Sequence, residues 1–244
     1  MSILQRLLQK HTKKEIVLAF LGDSVTQGCF ELYKNEEGKI CTVTKADHAF
    51  SQLLLTRLRA LYPAVPFQVV NAGLSGDRAP HGAKRLARDV LSHSPDLTVV
   101  CYGLNDCSIE EGGVEKYVAA LEHIFTALKK SGSEVIFMTP NRMNDYVSPA
   151  LTDPDMREIA AKKAALQNGG YLTKYIESAT TLARKMNIPV CDCYARWCEM
   201  HESGTDTTAQ LSNLINHPTR EGHELFAKEL LRTLSEPDPK ETKI

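Results

Sequence analysis

Ile16-Val17-Leu18-Ala19-Phe20-Leu21 is an unbroken apolar run, and Gly22-Asp23-Ser24 follows it without a spacer. A short run that is continuous rather than alternating reads as a strand buried on both faces of a parallel sheet. Four further runs read the same way, at 67–71, 97–102, 134–139 and 188–192. Between and after them lie helical patterns at 49–61, 81–91, 114–130, 171–186 and 221–234, the third with an apolar stripe of 3.6-residue period. Strand–helix alternation of this kind folds as an α/β protein, and we expect a three-layer αβα sandwich around five mainly parallel strands. Two stretches break the rhythm. Residues 30–45 read as a small hairpin around Lys39-Ile40-Cys41-Thr42-Val43, and 141–168 as a long connection with some helix.

Composition narrows the function. The 244 residues carry 29 Lys and Arg against 30 Asp and Glu, a formal net charge of −1. That balance gives no electrostatic reason to expect nucleic acid or an anionic membrane as partner. No apolar run reaches membrane-spanning length. The length and the single alternating pattern fit one domain over 1–244, with an N-terminal helical extension at 1–14 and a flexible, Pro- and charge-rich tail at 235–244. The first fifteen residues are amphipathic and lack a signal-peptide core, so a cytoplasmic location is expected. Seven cysteines, several inside expected strands, read as reduced and mostly buried thiols.

Ligands in open α/β sheets bind beyond the carboxyl ends of the strands. Gly22-Asp23-Ser24, Asn71 to Asp77, Gly103 to Asp106 and Pro140-Asn141 all fall at such ends, which places one site on that rim. Ser24 is either a helix N-cap or, given a base, a nucleophile, because a hydroxyl is fully protonated at neutral pH. His217, just before Pro218, is the candidate base. Gly76 is either a turn residue needing positive φ or an unobstructed backbone N–H for a developing oxyanion. Asn105 is either an Asx-turn or a side-chain amide aimed at the same oxyanion. Asp23, Asp77, Arg78, Asn141 and Arg142 are candidate substrate contacts by their closeness to the strand ends, and His48, beside Asp47, because it precedes a helix near the site. Asp77 with Arg78 equally reads as a local ion pair, and His48 as a surface or capping residue.

Cys191, Cys193, Cys198 and His201 are of zinc-ligand types. They lack paired Cys-x-x-Cys spacing, and Cys191 and Cys193 on one face of a strand read as core packing, so no metal is expected. His223, a second imidazole near the candidate base, reads as a structural hydrogen-bonding residue.

The ordered set of Gly22-Asp23-Ser24, the Gly76 turn, Gly103-Leu104-Asn105-Asp106 and His217-Pro218 resembles the four blocks of the SGNH hydrolases, also called the GDSL esterase/lipase family. The resemblance runs from residue 16 to about 230. It implies a flavodoxin-like sandwich and cofactor-free esterase chemistry. Ser24 would be the nucleophile and His217 the general base. The Ser24 and Gly76 N–H groups and the Asn105 side chain would form the oxyanion hole. One position departs from the family, which usually carries an aspartate three residues before the histidine; here it is Leu214. Either the Leu214 carbonyl accepts the His217 Nδ1–H, or Asp192 or Asp206 reaches in, or the chain is a weak or silent ligand-binding member of the fold. The carbonyl is the expected solution, because it preserves the imidazole tautomer that a base needs. The expected function is hydrolysis of an ester with a small acyl group, such as an O-acetyl on a carbohydrate or another polar alcohol. A small-molecule or glycan ester is then the partner.

Overall fold

The structure, a computed structural model, describes residues 1–10 and 15–237. The chain runs through α1 (Ile3–Lys10), β1 (Ile16–Gly22), a one-turn helix α2 (Ser24–Gln27), a hairpin of β2 (Cys29–Lys34) and β3 (Ile40–Thr44), and α3 (Phe50–Leu61). It continues with β4 (Phe67–Gly73), α4 (Ala79–Asp89), β5 (Leu97–Cys101), α5 (Gly113–Lys130) and β6 (Glu134–Met138). It ends with α6 (Pro154–Asn168), α7 (Tyr171–Lys185), β7 (Val190–Cys191), α8 (Cys193–Glu202) and α9 (Arg220–Ser235).

The five strands form one sheet in the order β4-β1-β5-β6-β7, and every pairing in it is parallel. This is the doubly wound order whose direction of winding reverses between β1 and β5, the place where such sheets bind ligands. Every residue of β5 is buried, as are six of the seven in β1, which explains why their sequences are apolar without alternation. On one side α3 packs with α9, which also takes α1; on the other α4, α5 and α7 pack in succession. Phe20 meets Phe50 of α3 edge-on at 5.7 Å, and Phe50 meets Phe226 of α9 at 5.9 Å, while Phe125 of α5 covers Phe137 at 5.9 Å. No helix among the described residues is long and apolar enough to cross a membrane.

Register matters most for the site. Gly22 pairs with Gly73 on one side and with Cys101 on the other, so three adjacent strands end on one level. Neighbouring strands lie about 4.8 Å apart. Ser24, Gly76 and Asn105 follow that level by two, three and four residues, which brings three distant segments to one small area.

Two expectations change. The run at 188–192 supplies only the two-residue β7, and Cys193 opens α8 instead of extending a strand. The reason is Asp192, whose carboxylate caps α8 by accepting the Ala195 N–H at 3.1 Å. Helix α4 starts two residues earlier than expected, because Pro80 sits in its first turn, where its missing N–H is not needed. The N-terminal helical extension is present as α1 and is packed down: Ile3, Leu4 and Leu7 are buried, and Arg6 pairs with Glu134 at 2.8 Å. Of the expected tail, Ser235 closes α9 and Pro237 bridges to Ser2, while 238–244 lie outside the described residues, as do 11–14.

Candidate active site

Asp23, not Ser24, is the cap of α2: its Oδ1 accepts the Val25 N–H at 3.0 Å. Ser24 is therefore the first helical residue, and its hydroxyl is left for a side-chain partner. That partner is His217, whose Nε2 lies 2.9 Å from Ser24 Oγ across 193 residues of sequence. The close seat of α2 on β4 explains Gly73. A Cβ there would come within 2.2 Å of the Gln27 nitrogen.

His217 rides on a tight turn organised by Asn213. The Asn213 Oδ1 accepts three backbone N–H groups, from Ile215 at 3.0 Å and from Asn216 and His217 at 2.9 Å each. Leu214, within that turn, is held at φ +57°. From the β6 exit, Asn141 donates its Nδ2 to the Asn216 carbonyl at 2.9 Å. The imidazole is buried, and its Nδ1 lies 2.8 Å from the carbonyl oxygen of Phe30 in β2. A carbonyl only accepts, so Nδ1 carries the proton and Nε2 turns its lone pair to the Ser24 hydroxyl. Burial pushes the His217 pKa down to about 4, against the opposing pull of the Phe30 carbonyl, so the ring is neutral at pH 7.

The acceptor for Nδ1 is thus Phe30, and this corrects the expectation for Leu214, Asp192 and Asp206. The Leu214 N–H closes back on the Leu211 carbonyl at 2.9 Å inside the Asn213 turn, and the imidazole leaves that turn toward β2. Asp192 is occupied by the Thr139 hydroxyl at 2.9 Å and by its cap on α8. Asp206 accepts from the Tyr146 hydroxyl at 2.7 Å and from the Ala209 N–H at 3.1 Å. Phe30 itself is clamped. The Arg220 guanidinium lies 4.5 Å above its ring, and Arg220 pairs with Glu31 at 2.6 Å. The His223 ring sits 4.8 Å away with its Nδ1 accepting the Phe50 N–H at 3.2 Å, a structural bond.

Across from the imidazole lies the β4 exit. Asp77 N–H bonds to the Leu74 carbonyl at 3.1 Å, and Gly76 at φ +77° takes the position of that turn that L side chains disfavour. Asn105 donates one Nδ2 hydrogen to the Asp77 carbonyl at 3.2 Å, which leaves the second hydrogen of the amide. The Ser24 and Gly76 N–H groups have no acceptor among the described residues. The array rests on buried polar bonds. Asp77 pairs with Arg85 at 2.6 Å and accepts the Tyr102 hydroxyl at 2.9 Å, and Arg85 also donates to the Gly22 carbonyl at 3.0 Å. Asp106 accepts the Ala79 N–H at 2.8 Å and the Gly103 N–H at 3.1 Å. Burial raises Asp23 to about 7 and Asp106 to about 6.

The remaining expected contacts divide. Asp77 is buried, and its ion pair is with Arg85 rather than the adjacent Arg78, so it braces the site instead of facing substrate. Arg78 is exposed at the start of α4. Asn141 is fully buried and holds the histidine loop, not the rim. Arg142 turns away to pair with Asp145. His48 is exposed beside Asp47 at 3.7 Å. In the former zinc candidate, the Cys191 and Cys193 sulfurs are buried 3.7 Å apart, while His201 faces Asp145 at 3.5 Å. No group of three His, Cys, Asp or Glu residues among the described residues is arranged to hold a metal ion.

Three residues of the site escaped the sequence reading. Phe30 contributes a main-chain atom, which has no residue signature. Asn213 could have been found as a turn-forming asparagine four residues before the histidine. Lys163 comes from α6, inside the stretch read only as a long connection with some helix, which gave no reason to single it out; its Nζ donates to the Leu104 carbonyl at 2.7 Å, next to Asn105.

A parallel sheet with a serine and a histidine meeting at its winding reversal is an arrangement that suits serine-hydrolase chemistry. Residues 20–225 match the model of the GDSL-like Lipase/Acylhydrolase family, and the chain belongs to that family and is an esterase. It is 26% identical over 226 residues to an acetylxylan esterase of Geobacillus stearothermophilus, covering 89% of this chain and 93% of that one. A crystal structure of Axe2, an acetylxylan esterase from Geobacillus stearothermophilus, superimposes with a TM-score of 0.65 at 22% identity, over 91% of this chain and 95% of the other. A two-domain esterase active on acetylated mannans superimposes with a TM-score of 0.67 at 18% identity, over all of this chain and 56% of that one.

Proposed function

We propose that the protein hydrolyses an ester of a small acyl group, such as an O-acetyl on a carbohydrate or another polar alcohol, through a Ser24–His217 dyad and an acyl-serine intermediate. The observation that carries this reading is the continuous chain from Ser24 Oγ through His217 to the Phe30 carbonyl, with contacts of 2.9 and 2.8 Å. Its Nδ1–H fixes the basic lone pair on Nε2. His217 takes the Ser24 proton as Oγ adds to the ester carbonyl. The negative oxygen of the tetrahedral intermediate is received by the Ser24 and Gly76 N–H groups and the free Asn105 amide hydrogen. Collapse expels the alcohol, which takes the proton from Nε2. Water, deprotonated by the same nitrogen, then adds to the acyl-serine and releases the acid and Ser24.

Loss of a triad carboxylate lowers the rate about ten-thousandfold when the histidine is left in the wrong tautomer. The Phe30 carbonyl supports the right tautomer, so what is forgone is only a full negative charge beside the imidazolium. This weighs against a silent binding protein. The acetylated xylan and mannan named for the two relatives support a carbohydrate acetyl ester as substrate. The test is turnover of a chromogenic short-chain acetate by the purified protein and by Ser24→Ala, alongside fluorophosphonate labelling. Turnover and labelling that both vanish with Ser24 support the reading; turnover that survives Ser24→Ala refutes it.

A further inference from the structure

The long connection at 141–168 brings a positive charge to this site that the mechanism above does not use. Lys163 is half-buried, and its Nζ hydrogen-bonds only the neutral Leu104 carbonyl, one residue before Asn105. Its charge acts on Asp23 beside the nucleophile and on His217. Arg78, two residues after Gly76, is a second cation at the same place: it and Lys163 repel each other, and both act on Cys107. Neither Lys163 nor Arg78 forms an ion pair with a carboxylate among the described residues.

The nearby acids are already engaged. Asp77 is held by Arg85 and Tyr102, Asp106 by two backbone N–H groups, and Asp23 by the Val25 N–H. Burial, with a smaller push from Arg78, pulls the Lys163 ammonium below its ordinary range, against the opposing pull of Cys107, Asp23 and Asp106. Two like charges near one another, one of them partly desolvated and with no carboxylate in ion-pair contact, raise the free energy of the empty protein. An incoming anion relieves that strain, and perturbed charged groups of this kind mark candidate functional sites.

We propose that Lys163 and Arg78 form an anion subsite beside the Ser24–His217 pair, and that the preferred ester carries a carboxylate close to its scissile bond. This rests on the esterase reading and narrows its polar alcohol or acyl group to an acidic one. The carboxylate sits either on the alcohol, as in an acylated sugar acid, or on the acyl group, as in a half-ester of a diacid. Two substrate pairs separate these sources: 4-acetoxybenzoate against phenyl acetate, and 4-nitrophenyl hemisuccinate against 4-nitrophenyl butyrate.

In one of the two pairs the anionic member has the higher kcat/KM, by tenfold or more at low salt, and the preference shrinks as salt rises. Lys163→Met lowers that anionic-to-neutral ratio about tenfold, Arg78→Gln lowers it severalfold, and Lys163→Arg restores most of it. Calorimetric binding of benzoate and of succinate to Ser24→Ala provides a readout independent of turnover, and Lys163→Met in that background weakens the better ligand about tenfold. Ratios near one in both pairs, or a ratio that Lys163→Met leaves unchanged, overturn the subsite. Absent turnover with Lys163-dependent anion binding intact would refute the hydrolytic reading and uphold the subsite.

Discussion

Replacing Asn213 by alanine removes a single oxygen that serves three buried N–H groups of the turn carrying His217. It also removes the Nδ2 bond to Asn216 Oδ1 at 3.0 Å. Each of the four lost bonds lowers stability by about 1 kcal/mol or somewhat more, so the sum is about 4 kcal/mol. At about 2–4 °C per kcal/mol for a chain of this size, the melting midpoint falls by roughly 8–16 °C. Activity falls further than stability explains. A displacement of about 1 Å between Nε2 and Oγ lowers kcat by about a hundredfold. Asn213→Asp keeps the accepting oxygen and loses only the Nδ2 bond, so it retains kcat within about tenfold. The assay is kcat on a chromogenic acetate well below either melting midpoint, with circular dichroism confirming a folded sample. An Asn213→Ala enzyme with a lowered midpoint and kcat within threefold of the parent would refute the idea that this oxygen positions the base.

Lowering the pH tests the imidazole's burial. The neutral ring is the active form, and its pKa is depressed, so activity is present above the depressed value and lost as pH falls through about 4. At pH 5.5 kcat/KM keeps nearly all of its plateau, whereas an ordinary histidine would give about a tenfold loss. Asp23, at about 7, takes up a proton in the same window, and Asp23→Asn separates its effect in the same pH series. Leu214→Asp, which restores the family's usual residue, changes kcat by less than threefold because Nδ1 is already engaged; a tenfold gain would show that the Phe30 carbonyl is a poor substitute. Arg85→Met leaves the Asp77 carboxylate buried without its partner and destabilises the fold by about 3–5 kcal/mol in a denaturant titration, while adding Asp77→Asn recovers part of it.

The framework was legible because burial on both faces writes itself into composition. All five strands announced themselves as apolar runs, and the polar rim at their ends marked where Ser24, Gly76 and Asn105 meet. Pattern failed where a single polar side chain redirected the chain. Asp192 ends β7 and starts α8, so the cysteines around it do not share a strand face. It failed again where function is carried by backbone. The partner of His217 Nδ1 is a main-chain oxygen, and any residue at position 30 supplies one; only the path of β2 past the histidine loop brings it within 2.8 Å. Asp77 illustrates a third limit. Adjacent charges suggested a pair with Arg78, yet the helical spacing of α4 carries Arg85 to it from eight residues on. Local sequence favours neighbours, while burial selects the partner that can be desolvated with it.

The central claim is that a neutral imidazole, protonated on Nδ1 by its bond to the Phe30 carbonyl, presents its Nε2 lone pair to Ser24. Nitrogen-15 NMR of histidine-labelled protein at pH 7 reads this directly, with His217→Gln to assign the signals. A protonated Nδ1 and an unprotonated Nε2 whose shift moves on Ser24→Ala are the expected result. A doubly protonated ring, or a proton on Nε2 and none on Nδ1, would contradict it.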